Sequence, residues 1–83
     1  MISITDFKML PFSKQCDFIT VFADYLIYRT EEGIKYYLYY MESYFVEVCY
    51  VPGEHEVKEI NAFKEVSQLD PYLEEISLPL SRV

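Results

Sequence analysis

The stretch from Ile34 to Val51, IKYYLYYMESYFVEVCYV, constrains the fold of this chain more than any other part of it. It holds six of the nine tyrosines. Val46, Val48 and Tyr50 alternate with Glu47 and Cys49, the period of two that a sheet with one buried face requires. The stretch therefore reads as two strands joined by a tight turn at Glu42-Ser43. A two-residue loop places Tyr39 and Tyr37 across from Val46 and Val48; a three-residue loop places Tyr40 and Leu38 there instead. In the first register Tyr36, Leu38, Tyr40, Phe45 and Cys49 surround Glu47 on the opposite face. In the second, Tyr37, Tyr39 and Met41 occupy that face. Both registers leave large apolar groups on the side away from a covering helix.

The flanking segments supply the other elements. Ile4 to Leu10 can form a short helix with Ser3 or Thr5 as its cap, ended by Pro11. Ser13 is a candidate cap for a main helix running to about Phe22, with Phe18, Ile19 and Phe22 as its apolar stripe. Tyr25 to Thr30 is rich in aromatic and β-branched residues and reads as a first strand. Glu31-Glu32-Gly33 is the turn into the hairpin. Pro52-Gly53-Glu54 has the residue order of a type II turn. His55 to Phe63 alternates less cleanly and suggests a bulged edge strand, its Glu56, Lys58 and Glu59 guarding the edge. After connecting chain at Lys64–Gln68, Asp70-Pro71 starts a short helix to about Ile76, with Tyr72, Leu73 and Ile76 as its apolar side. Residues 77–83, with Pro79, read as extended. The expected fold is α+β in two layers: an N-terminal helix, a four-stranded antiparallel meander and a short C-terminal helix.

Several words of the sequence resemble a family of short, uncharacterised bacterial proteins. They are Leu10-Pro11, Leu38-Tyr39, Tyr44-Phe45-Val46-Glu47-Val48, and Leu69-Asp70-Pro71-Tyr72-Leu73-Glu74 with Ile76. The family has no assigned activity, so the resemblance implies a common fold and brings no catalytic residue. Where this chain has Ser43, a Gly is usual, and Ser is the poorer residue for a two-residue loop needing positive φ at both positions.

Composition then narrows function. Eighty-three residues fit one domain with a thin core. Cys16 and Cys49 form no disulfide framework and lack metal-knuckle spacing, so self-association is the stabilising device left to a chain this small. Fourteen acids against seven bases give a net charge of −7, which disfavours nucleic acid and anionic membrane surfaces. The first ten residues do not read as a secretory signal, and no apolar run spans a bilayer. With free thiols, a cytoplasmic location is expected.

No constellation for catalysis emerges. His55 is the sole histidine, and its neighbours Glu54 and Glu56 point the other way in a strand, so an exposed turn residue is expected. Cys16 falls in the first turn of the main helix and Cys49 in mid-strand; both read as structural thiols. Glu47, between two valines, calls for a cross-strand ion pair with Lys35 or Arg29, or else a raised pKa in a partly apolar face. The reading is a non-catalytic protein–protein interaction module without cofactor or metal, most simply a homodimer. Its possible interface is the sheet face formed by Tyr36, Leu38, Tyr40, Phe45, Glu47 and Cys49. The alternative is an acidic inhibitor or immunity-type partner of a basic protein; a small-ligand-binding protein ranks last.

Overall fold

A computed structural model describes residues 2–76. The chain forms α1 (Ile4–Lys8), α2 (Phe12–Phe22), β1 (Asp24–Glu31), β2 (Ile34–Met41), β3 (Tyr44–Val51), β4 (Glu56–Phe63) and α3 (Asp70–Ile76). The four strands make one antiparallel sheet in the order β1-β2-β3-β4, so β1 and β4 are its edges. The expected α+β meander is the fold; the extended segment expected at 77–83 lies outside the described residues.

The hairpin takes the two-residue register: Tyr39 faces Val46 and Tyr37 faces Val48. Only Glu42 in its loop has positive φ (59°). Ser43 escapes the left-handed region, so its poor fit there costs nothing. The β1–β2 loop, in contrast, uses positive φ at both Glu32 and Gly33 (53° and 82°), as a type I′ hairpin turn demands. At Pro52 the expected type II turn is replaced by a 3₁₀ turn over Pro52–Glu54. Gly53 does not take positive φ; His55 does, at 55°, with its N–H donating to the Pro52 carbonyl at 3.1 Å. A second 3₁₀ turn, Val66–Leu69, leads into α3 where connecting chain was expected.

Helix starts follow local chemistry. Ser3 caps α1, its Oγ accepting from the Asp6 N–H at 3.1 Å. Ser13 is not the cap of α2. The Pro11 carbonyl already accepts from the Lys14 and Gln15 N–H groups, so Phe12 and Ser13 lie inside the helix. Gln15 Nε2 donates to the Phe7 carbonyl at 3.0 Å and ties the two helices together.

Two clusters divide the core between the sheet faces. The α1/α2 face buries Phe7, Ile19, Met41, Tyr44, Val46, Val48 and Ala62. Phe7 is fully buried, a core role that helical spacing alone did not assign to it. The Tyr44 hydroxyl donates to the Ile2 carbonyl at 3.0 Å, which fastens the segment before α1 to the β2–β3 turn. The other face buries Leu38, Phe63 and Tyr72, with α3 lying against β1 and Tyr72 reaching Leu38 of β2. Of the apolar side expected for this helix, Tyr72 is buried and Leu73 is half exposed. In α2, Ile19 is the buried residue and Phe22, expected in the stripe, is 49% exposed.

Candidate functional site: a tyrosine-rich edge of the sheet

The two-residue register puts Tyr36, Leu38, Tyr40, Phe45, Glu47 and Cys49 on one face, and α3 occupies its middle. Leu38 is 3% exposed, packed with Phe63 and Tyr72, so it is a core residue in this chain. Phe45 is half-buried and stacks on Phe63 with ring centroids 5.6 Å apart. Tyr40, at 37% exposure, leans on Phe45 from the open end of the face.

Glu47 is the polar centre of this layer. Its Oε2 accepts from the Tyr72 hydroxyl at 2.6 Å and lies 3.7 Å from Arg29 Nη2. Of the two cations expected for it, Arg29 is the partner; Lys35 belongs to the other face, beside Tyr50 and over the Tyr28 ring. The Arg29 guanidinium stacks 4.0 Å over Tyr36 and 5.1 Å from the Tyr72 ring, and Nη1 donates to Glu31 at 2.7 Å. Arg29 Nε is buried with no acceptor among the described residues. Burial, and next the Glu47 carboxylate, push the Tyr72 hydroxyl far above the usual phenol range. Burial, then Glu59 and Glu47, also push the Cys49 thiol up, which works against thiolate chemistry there. The arrangement is a latch holding α3 on the sheet. Tyr72, 25 residues beyond Glu47, is the partner that sequence spacing did not supply.

The exposed tyrosines gather on the opposite face. α2 crosses the sheet near Tyr39, Val48 and Ile60 and stops short of the β1 edge. There Tyr25 packs against Tyr37 and Tyr39, with centroids 6.4 and 5.7 Å apart. Tyr37 also meets Tyr28 and Tyr50, at 5.8 and 6.4 Å. Tyr25 is 52% exposed and Tyr28 46%. Near them in sequence, Val21 and Phe22 at the end of α2 and Leu26, the extra residue where the β1–β2 register shifts, are exposed too. Val21, Phe22, Tyr25, Leu26 and Tyr28 are half of the ten exposed large hydrophobic residues among those described, all within eight consecutive positions. A signal for this existed in the sequence. In a meander the first and last strands are edges, and the first carries an uncharged aromatic run, Tyr25 to Tyr28, that the last lacks.

Other features offer less. A cleft of about 150 Å³ between α2 and the sheet, lined by Cys16, Ile19, Thr20, Tyr39, Val48, Val57 and Ile60, is smaller than a typical ligand pocket. His55 is exposed in its turn. Among the described residues no group of three or more His, Cys, Asp or Glu is placed to hold a metal, and no helix is long and apolar enough to cross a membrane. No family model matches the chain, and no curated protein or solved structure matches it either.

Proposed function

We propose that this chain is a non-catalytic protein-contact module that self-associates as a homodimer. Its contact surface is the tyrosine-rich edge formed by β1 and the end of α2. The observation that carries the reading is the concentration of exposed Val21, Phe22, Tyr25, Leu26 and Tyr28 within eight consecutive positions at the end of α2 and the start of β1. Apolar patches of this kind mark contact surfaces, and tyrosine suits them because the ring is buried while the hydroxyl stays hydrated. This places the contact on the opposite side of the sheet from Tyr36, Leu38, Glu47 and Cys49, whose centre is filled by Tyr72.

Light scattering behind gel filtration tests it. The expected mass is twice the 9.9 kDa of the chain, falling to one copy in a Val21→Lys/Leu26→Lys variant with unchanged circular dichroism. A wild-type monomer up to millimolar concentration refutes self-association. A second reading rests on the turns β1–β2 and β3–β4, which put exposed Glu31, Glu32, Glu54 and Glu56 at one end of the sheet. Lys58 stands 3.1 Å from Glu54 and 3.7 Å from Glu56 and offsets part of that charge. An acidic partner of a basic protein would use this end, and capture of such a protein at low salt but not at high salt would favour it.

A further inference from the structure

We infer that two copies join by antiparallel pairing of β1 with β1 across a two-fold axis at Tyr28, merging two four-stranded sheets into one. The inference rests on the self-association proposed above and specifies its geometry.

The backbone chooses the kind of occupant. A two-residue loop closes on a hydrogen-bonded pair, here Glu31 with Ile34, and hydrogen-bonded and non-bonded pairs alternate from there. Arg29 with Tyr36 is therefore bonded, while Thr30 with Lys35 and Tyr28 with Tyr37 are the open pairs. The N–H and C=O of Tyr28 and Thr30 thus point away from β2. No backbone hydrogen bond links β1 to any described element other than β2. A row of outward donors and acceptors on an eight-residue strand is matched by another extended strand.

The contrast between the two edges favours β1. Each edge carries three charged residues and one register shift, at Leu26 in β1 and at Lys58 in β4, but β1 exposes Tyr25, Leu26 and Tyr28 while none of the exposed large hydrophobic residues described lies on β4. On β1 the residues from Tyr25 to Tyr28 are uncharged, and Arg29 is already engaged by Glu31 and lies 3.7 Å from Glu47.

Side chains choose the register and make a second copy the fitting strand. With Tyr28 on the axis, the two Tyr28 residues exchange both backbone hydrogen bonds, and Ile27 faces Arg29 of the second copy. Shifting so that Thr30 bonds Tyr28 sets Arg29 directly against Arg29, a like-charge pair that a sheet disfavours. Centring on Thr30 shortens the overlap. In the favoured register the exposed Tyr28 rings of the two copies meet at the axis on the face that α2 leaves open, with Tyr25 of each copy about 10 Å farther out along the seam. An isologous contact of this kind closes at two copies.

Amide hydrogen exchange of the whole chain, followed residue by residue against concentration, tests the pairing. The Tyr28 and Thr30 amides should slow by roughly 15-fold when the total chain concentration stands at 100 times the dimer dissociation constant, because about 7% of chains are then monomeric. The Arg29 amide, bonded to β2, should respond far less. Thr30→Pro removes an outward N–H at an edge position where proline is tolerated, and should give a folded monomer by light scattering. A dimer in which Tyr28 and Thr30 exchange at their dilute-solution rates overturns strand pairing but leaves self-association standing. Absence of any dimer overturns both. Protection of the two amides that ignores dilution and vanishes on truncation after Ile76 also overturns the inference, because the chain's own end would then hold the edge.

Discussion

Replacing Tyr72 by Phe deletes one oxygen and leaves the ring, so it isolates the contact that fastens α3 to the sheet. The ring keeps its packing on Leu38 and Phe63. What disappears is the 2.6 Å hydrogen bond to Glu47 Oε2, whose remaining listener is Arg29 Nη2 at 3.7 Å. A hydrogen bond to a charged group contributes about 1.5–3 kcal/mol, and Glu47 is only 18% exposed, so water replaces the lost donor poorly. Against a total stability of about 4–12 kcal/mol for a chain of this length, the loss is large. With a urea slope near 1 kcal/mol per molar, the unfolding midpoint should fall by about 1.5–3 M. Glu47→Ala should cost a similar amount. The double variant should cost clearly less than the two added together, because both remove one contact. Leu73→Ala, at a half-exposed position on the same helix, serves as the control and should stay within about 0.5 kcal/mol. A Tyr72→Phe loss below about 0.5 kcal/mol, or strictly additive variants, would refute the latch.

Three further outcomes follow from the same structure. Phe7→Ala should cost about 3–5 kcal/mol, because the ring is fully buried against Tyr44, and thermal unfolding should show a drop of at least about 12 °C. The Tyr72 hydroxyl has a folded pKa above its unfolded value of about 10, so its contribution is complete below that pH and is lost as pH rises beyond it. Each unit above about pH 10 should remove about 1.4 kcal/mol for this group, a slope in urea titrations that Tyr72→Phe flattens. Glu42→Gly should stabilise the chain by about 0.5–1 kcal/mol, since Glu42 holds φ at 59° and glycine relieves that strain at a smaller entropic cost; the urea midpoint reads it.

The strands were legible because alternation is a local property. Ile34–Met41 and Tyr44–Val51 fall where the pattern of valines, tyrosines and acids puts them, and the short loops force the meander order. Turn chemistry was less legible. Pro52-Gly53 fits more than one turn type, and the left-handed position went to His55 because the 3₁₀ turn ends one residue later. The largest gap concerns which face is open. Sequence gives each helix an apolar stripe but not its placement, and here α2 buries mainly Ile19 while the seven-residue α3 fills its face with one long side chain. The open tyrosines therefore lie at β1, beyond the reach of α2. Glu47 was recognisable as unusual between two valines, yet its strongest partner depends on a tertiary contact that spacing cannot supply.

Because each strand of the sheet bonds only to its sequence neighbours, most of the sheet assembles through short chain closures. Among the described residues, two side-chain hydrogen bonds bridge long separations: Tyr44 to Ile2, and Tyr72 to Glu47. The central hairpin is then the natural nucleus, so Val46→Ala should slow refolding. Tyr72→Phe should leave the refolding rate nearly unchanged and accelerate unfolding instead. The lifetime of the folded chain, rather than the speed of its formation, would thus be set by its final helix.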